Sequence, residues 1–271
     1  MEARPEIDLD RAVTTITRFL TGKLLQSGLD GYVVGVSGGL DSAVAAALAV
    51  AAVGPDKVLG LLLPYRTSSA ESLHDARLMV ERLGIPHRVI DISPMIDAYY
   101  PRITDELKRR AGNKMARERM AILFDVALET SRLVLGTGNR SEIALGYTTW
   151  HGDSACSVNP IGELYKTEVR LLARKLAVPE PIIAKPPTAD LWKDQTDEGE
   201  IGVTYPQIDR LLARIVDQGV RSMSQLAAEG FPPTEISRVV SLLNRNAFKR
   251  ALPEVAPLQR KPIPANVQLS E

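Results

Sequence analysis

The segment that most constrains the fold runs from Tyr32 to Val53 and joins a strand to a helix through a glycine turn. Residues 32–36 are apolar and mostly β-branched, which is typical of a buried strand. Residues 41–53 are rich in alanine, the residue that most favours a helix. Only Ser37, Gly38, Gly39 and the residue after them lie between the two. A strand that enters a helix through so short a turn indicates a parallel sheet covered by helices.

The same alternation of strands and helices continues along the chain. Apolar runs predict strands at 32–36, 58–64, 87–91 and 132–135. Helical patterns predict helices at 9–27, 41–53, 69–83, 115–130, 166–176, 205–218, 222–229 and 234–248, with loops at 136–165 and 179–187. We therefore expect an α/β fold: a doubly wound, Rossmann-like parallel sheet with helices on both faces and a helical C-terminal part. One domain should span residues 8–258, followed by a loosely ordered tail at 259–271.

Composition limits the function classes. Of the 271 residues, 45% are hydrophobic, which suits a domain with a real core. Lysine plus arginine and aspartate plus glutamate number 33 each, so no strong positive field favours nucleic acid. The single cysteine, Cys156, excludes an internal disulfide framework and is interpreted as a packed hydrophobe rather than a nucleophile. The charged first ten residues and the short apolar run at 43–53 favour a soluble, cytoplasmic protein without a membrane partner.

The glycine turn has the composition of a phosphate-binding loop. It follows a strand at the carboxyl edge of a parallel sheet, where ligands bind, and its glycines let backbone N–H groups approach an anion. No lysine follows in the spacing of the common nucleotide loop. Because a carboxylate repels phosphate unless a divalent cation lies between them, Asp41 is predicted to bind Mg²⁺, with Ser37 and Ser42 as phosphate donors. The alternative is a plain strand-to-helix turn in which Asp41 is an acid favoured by the helix dipole.

Five segments together resemble a known enzyme family. The run S-G-G-L-D-S at 37–42 resembles the pyrophosphate-binding loop of the N-type ATP pyrophosphatases. The further segments are GNKMARERM (112–120), VLGTGNRSEIALGY (134–147), NPIGELYKTEVRLLA (159–173) and KPPTADLWKDQTDEGEIGVTY (185–205). In order and spacing they are similar to the NH3-dependent NAD synthetases. The resemblance covers about residues 8–258.

The resemblance implies a site for ATP and magnesium. Asp41 and Glu142 match the Mg²⁺ ligands, and Asp41 and Lys166 match the groups that carry the chemistry. The positions matched to ATP contacts are Gly35, Val36, Ser37, Gly38, Gly39, Leu40, Asp41, Ser42, Thr137, Lys166 and Thr188. The alternative interpretation of Glu142, taken singly, is a solvated acid at a helix start, and that of Lys166 is a surface charge.

The positions matched to deamido-NAD are less regular. They are Arg117, Trp150, Asp153, Ser157, Phe248 and Lys249. Trp150 stands where many members have a lysine, Ser157 where they have an aspartate, and Phe248 where some have a histidine. The resemblance to the family is therefore closer on the ATP side than on the deamido-NAD side.

The implied reaction is the ATP-dependent amidation of deamido-NAD to NAD. The carboxylate would attack ATP to give an acyl-adenylate and pyrophosphate, and ammonia would then release AMP. Neither the length of the chain nor its one cysteine accommodates a glutaminase domain, so free ammonia is the expected donor. The resemblance also implies a homodimer. Two alternatives stay open: an ammonia-dependent ligase for another carboxylic acid, and a non-catalytic ATP-binding module.

Overall fold

The computed structural model describes residues 7–188, 190–192, 195–256 and 258. Its centre is a four-stranded parallel sheet made of β1 (Gly31–Gly35), β2 (Val58–Leu62), β3 (His87–Val89) and β4 (Arg132–Val134). The strand order is β3-β2-β1-β4. Because the chain moves outward from β1 in both directions, the strand order reverses between β1 and β4. Ligands of open parallel sheets bind in the crevice at such a reversal.

Helices cover both faces of this sheet and form a further layer beside it. They are α1 (Leu9–Ser27), α2 (Leu40–Val53), α3 (Ala70–Leu83), α4 (Ser93–Tyr99), α5 (Lys108–Glu129), α6 (Arg140–Leu145), α7 (Lys166–Lys175), α8 (Glu180–Ala184), α9 (Asp197–Ile201), α10 (Tyr205–Leu212), α11 (Met223–Ala228) and α12 (Pro233–Arg245). Along β1, Tyr32 and Val34 pack into one core with α1, α2 and α7, while Val33 packs into the other with α4 and α5. The predicted doubly wound sheet is confirmed.

The C-terminal helices form a third core beside the sheet. Ile208, Leu212, Phe231 and Val239 are buried there, together with Leu145 of α6. The predicted helical C-terminal part is therefore present. This layer lies against α6 and α7, the two helices that follow β4, so it supports the carboxyl end of the sheet.

The predicted element boundaries differ from the structure in the long connections. Helix α5 begins at Lys108 rather than at 115, because its first turns carry charges and Gly112 in place of an apolar period. Helices α4, α6, α8 and α9 fall in stretches not predicted to be helical, and the helix predicted at 205–218 changes to a π-helical turn after Leu212. The predicted loose tail at 259–271 lies outside the described residues.

Within the described ranges, no helix combines the length and the apolar character that crossing a bilayer requires.

Candidate active site

The turn between β1 and α2 is shaped by close contact with α3. Gly38 has a φ of +80°, and a Cβ atom there would lie 2.1 Å from the carbonyl oxygen of Ser72. Only glycine meets both conditions without displacing the backbone. Helix α2 begins without a side-chain cap, so its first N–H groups are open to an anion. The geometry therefore suits the predicted phosphate-binding loop, which we call the anion loop (residues 37–42).

The two serines of the anion loop bond mainly to the loop itself. The Ser42 hydroxyl donates to the carbonyl oxygen of Gly39 at 2.9 Å and accepts from the Ser37 N–H at 3.2 Å. The Ser37 hydroxyl accepts from the Gly39 N–H at 3.2 Å. These bonds hold the loop in one shape. That Ser37 and Ser42 also donate to phosphate stays a prediction.

A largely buried charge cluster lies at the end of the anion loop. Lys166, only 5% exposed, donates through Nζ to Asp41 Oδ2 and to Glu142 Oε1, the latter at 3.4 Å. Asp41 lies in the first turn of α2, Glu142 in α6, and Lys166 at the start of α7. The three residues that the sequence motifs place far apart in the chain are thus brought together at the edge where β1 and β4 end.

Asn139 orients both carboxylates of this cluster and was not predicted. Its Nδ2 donates to Asp41 Oδ1 at 3.1 Å. Its backbone N–H donates to Glu142 Oε2 at 3.2 Å, while its Oδ1 accepts from the Glu142 N–H at 2.9 Å, which completes a capping box. The sequence did carry a signal, because Asn followed three residues later by Glu marks the start of a helix.

Electrostatics in the cluster favour one more cation. Burial and the charge of Asp41 raise the pKa of Glu142 well above its usual value, against the opposing effect of Lys166. For Lys166 burial acts to lower the pKa, but the charges of Asp41 and Glu142 outweigh it and raise the pKa above its usual value. The raised pKa of Glu142 means that a second carboxylate beside Asp41 is costly with Lys166 alone, and a further cation would stabilise the state in which both are ionised.

The donor set suits magnesium bound together with a phosphate. Among the described residues, no three His, Cys, Asp or Glu side chains gather into a site that would hold a metal alone. Mg²⁺ is usually held by one or two carboxylates, with water and substrate phosphates completing its shell. Asp41 and Glu142 beside the anion loop provide that pair.

The C-terminal layer fixes the start of α7 and with it Lys166. The Lys166 N–H donates to Ser141 Oγ at 3.0 Å, and the Thr167 N–H donates to Asp209 Oδ2 at 2.9 Å. Ser141 in turn donates to Asp209 Oδ1. Ser141 and Asp209 are both buried. An acid from α10 thus stabilises the amino end of α7, as the helix dipole favours.

One cavity of about 1080 Å³ connects the charge cluster with the predicted substrate positions. Of the positions predicted to contact ATP or Mg²⁺, those that line it are Gly35, Val36, Ser37, Gly38, Gly39, Leu40, Asp41, Ser42, Thr137, Glu142, Lys166 and Thr188. Of the positions predicted to contact deamido-NAD, those that line it are Arg117, Trp150, Asp153, Phe248 and Lys249. Ser157 is absent from the described residues that line it. Its Oγ accepts from the Val134 N–H at 3.2 Å, beside β4.

Aromatic rings and a loop held by hydrogen bonds lie at the mouth of the cavity. The Trp150 ring stacks on His151 at 4.3 Å between centroids and meets Phe248 edge to face at 5.1 Å. Lys249 Nζ donates at 2.7 Å to each of the carbonyl oxygens of Gly146 and Thr148. Ring faces of this kind suit a flat aromatic substrate group. We call Trp150 and Phe248, which line the cavity, together with His151, which stacks on Trp150, the aromatic mouth.

Two arginines of α5 line the cavity in different ways. Arg117 is exposed and donates through Nε to the carbonyl oxygen of Trp150 at 3.2 Å. Arg119, which was not predicted, donates through Nε to the carbonyl oxygen of Leu63 at 2.9 Å. Burial lowers the pKa of Arg119 to about 10, and its side chain is less exposed than that of Arg117. A desolvated guanidinium is a strong ligand for an anion.

Cys156 is packed rather than activated. A Cβ atom added at Gly136 would lie only 2.6 Å from the Cys156 Sγ, so the thiol packs closely against the backbone there. Burial raises the pKa of the thiol. A thiol that stays protonated is a poor nucleophile. The packing agrees with its interpretation as a small hydrophobe.

Comparison with known proteins gives one consistent assignment. The family model described as NAD synthase matches residues 12–253. The NH3-dependent NAD+ synthetase of Fusobacterium nucleatum is 42% identical over 255 residues, covering 94% of this chain and 98% of that one. That of Trichlorobacter lovleyi is 45% identical over 252 residues, covering 93% and 92%.

Solved structures agree with this assignment. An NMN synthetase from Francisella tularensis superposes with a TM-score of 0.80 at 33% identity, covering 93% of this chain and 99% of that one. An NH3-dependent NAD synthetase from Campylobacter jejuni gives 0.78 at 31% identity, covering 93% and 100%. The chain therefore belongs to the NAD synthase family and is a ligase that forms a carbon–nitrogen bond.

Proposed function

We propose that the chain amidates deamido-NAD with ammonia in this cavity, through an acyl-adenylate, and releases NAD, AMP and pyrophosphate. The observation that carries the proposal is the buried Lys166 between Asp41 and Glu142, at the end of a loop shaped for phosphate. The same cavity continues to the aromatic mouth, so ATP and a second nucleotide can lie end to end. A non-catalytic ATP-binding module would have no need of such a cluster.

In the first step an oxygen of the nicotinate carboxylate attacks the α-phosphorus of ATP, and the bond to the β-phosphate breaks. The N–H groups of the anion loop and the ammonium of Lys166 stabilise the charge that develops on pyrophosphate. Asp41 and Glu142 would hold Mg²⁺, which neutralises phosphate charge when it is bound. In the second step ammonia attacks the activated carbonyl carbon, and the bond to AMP breaks.

The mouth would position the deamido-NAD. Arg117, Arg119 and Lys249 supply positive charge for its phosphates, and Trp150 and Phe248 supply ring faces. Ser157 lies outside the cavity lining and its role as a contact stays a prediction. A homodimer and a cytoplasmic location are likewise predictions, which light scattering of the purified chain and cell fractionation test.

A second candidate substrate is favoured by one comparison. The Francisella tularensis structure, which superposes with a TM-score of 0.80, is described as an NMN synthetase. Nicotinate mononucleotide carries the same nicotinate carboxylate as deamido-NAD and lacks the adenylate half. The chemistry at Lys166 would be unchanged, and the mouth alone would decide between the two acids.

The test is a comparison of acids with the purified chain, ATP, Mg²⁺ and ammonium chloride. NAD formed from deamido-NAD, one for each AMP, is the expected result. A higher kcat/KM for nicotinate mononucleotide would replace the substrate assignment. AMP release that depends on neither acid would refute the proposal, and glutamine in place of ammonium chloride should give little product.

A further inference from the structure

The segment that follows α8 and carries Thr188 is held against α3 by a buried ion pair. Lys185 Nζ donates to Asp75 Oδ2 at 3.0 Å and to Ser72 Oγ at 3.1 Å. Asp75 lies in the second turn of α3 and is only 2% exposed. Lys185 follows directly after α8 and is also largely buried.

The same segment contacts α3 at a second point. Asp190 Oδ2 accepts from the Ser69 N–H at 3.1 Å, at the cap of α3. The Asp190 N–H donates to Thr188 Oγ1 at 3.1 Å. Thr188, which lines the cavity, therefore lies between two anchors, Lys185 on one side and Asp190 on the other.

The first turn of α3 also supports the anion loop. The carbonyl oxygen of Ser72 faces Gly38 so closely that a Cβ atom on Gly38 would lie 2.1 Å from it. The hydroxyl of the same Ser72 accepts from Lys185. The first turn of α3 thus contacts the anion loop on one side and the segment that carries Thr188 on the other.

We infer that Lys185 and Asp75 are positioning residues, which hold Thr188 at a fixed place relative to the anion loop so that both contact ATP together. The inference rests on the proposed binding of ATP in this cavity. An ion pair buried this deeply contributes a defined geometry more than net stability, and the loss of either partner leaves the other uncompensated. Small displacements of binding groups weaken substrate positioning strongly.

The rival interpretation is that Lys185 contacts the phosphates of ATP itself, since it also lines the cavity. The two accounts differ for Asp75. If the pair positions Thr188, removal of either charge has the same effect, and removal of both adds little. If Lys185 binds phosphate directly, Asp75→Asn frees its ammonium and leaves ATP binding as strong or stronger.

The experiment is a double-mutant cycle in the full chain with Asp75→Asn, Lys185→Met and the double variant. Each single variant should raise KM for ATP about tenfold, while kcat and KM for deamido-NAD change less than about threefold. The KM of the double variant for ATP should be no higher than that of the more impaired single variant. Lys175→Met is the matched control, because it removes a lysine from a surface ion pair with Asp10.

Thermal unfolding of every variant shows whether a higher KM for ATP comes from lost positioning or from a destabilised fold. Lys185→Arg and Asp75→Glu keep both charges and change only the geometry, so they should fold and raise KM for ATP about threefold. An unchanged KM in all these variants, or a rise in Lys185→Met without one in Asp75→Asn, would overturn the inference. A wild-type chain that forms no NAD would instead refute the proposed function.

Discussion

The anion-loop end of the cavity and its aromatic mouth are built in different ways. At the anion loop, Lys166 is 5% exposed and is bonded to residues from two further elements, Asp41 and Glu142. At the mouth, Phe248 is 52% exposed and contacts Trp150 only edge to face. The first region is held by buried charges and backbone contacts, and the second by loop hydrogen bonds and ring contacts.

This difference separates the chemistry from the choice of substrate. A buried charge cluster tolerates little change, because an unpaired charge there is costly. An exposed ring can be replaced without unfolding the protein, and the replacement affects the substrate group that the ring contacts. Of the three departures from the family pattern, Trp150 and Phe248 lie at the aromatic mouth, whereas Ser157 lies outside the described cavity lining. We therefore expect variants of Lys166 to lose turnover, variants in the anion loop to weaken ATP binding, and variants at the mouth to change substrate preference.

The largest effect is expected for Lys166→Met. It removes the cation that faces the departing pyrophosphate and should lower kcat about 100- to 1,000-fold, as measured by AMP release. Lys166→Arg keeps the charge and should retain more activity. Circular dichroism shows whether the variant is folded. A folded Lys166→Met enzyme with more than about a tenth of wild-type activity would contradict the account.

The second effect concerns Gly38→Ala. The new Cβ atom would meet the carbonyl oxygen of Ser72, so the anion loop must shift and KM for ATP should rise about tenfold or more. Gly84→Ala is the matched control: its φ is +65°, but no atom of the described residues lies within 4 Å of the added Cβ. That variant should lose only about 1 kcal/mol of stability to urea. Equal KM values in the two variants would refute the role of the close contact.

At the mouth, Trp150→Ala should raise KM for deamido-NAD about tenfold, since a ring stacked on a base contributes about 1–3 kcal/mol. KM for ATP should not change. Tyr99→Ala, an exposed ring outside the described cavity lining, is the control. If KM for ATP rises together with that for deamido-NAD, the two regions do not act separately.

The smallest effect is expected for Cys156→Ala. Because the thiol is packed and its pKa is raised by burial, activity should stay within about twofold of wild type. Thermal unfolding should show a loss of about 1 kcal/mol. A complete loss of NAD formation in a folded variant would mean that the thiol takes part in the reaction.

The sheet and Asp41 could be predicted from the residues alone, because the strands are short buried runs with a clear apolar signal and Asp41 follows a turn at the carboxyl end of one of them. Glu142 and Lys166 were predicted only from the family resemblance, and the structure brings Glu142 to Asp41 because β1 and β4 are parallel neighbours. Helices in the connections were missed because burial of a few residues, such as Ile182 and Ile183 in α8, leaves no periodic pattern.

The supporting contacts were missed for another reason. Lys185 and Asp75 are 110 residues apart, and Ser141 and Asp209 are 68 apart. A single sequence does not indicate which distant polar residues pair, because pairing depends on how helices pack. The contacts of Asn139 are local by comparison, because its capping box joins it to Glu142 only three residues later in the sequence.

The most direct test of the central claim follows an oxygen atom. Deamido-NAD labelled with heavy oxygen in its carboxylate is converted with ATP and ammonia, and the products are weighed by mass spectrometry. If the carboxylate attacks the α-phosphate at the anion loop, one labelled oxygen is found in AMP and none in pyrophosphate. Unlabelled AMP alongside labelled pyrophosphate or phosphate would contradict adenylation at this site.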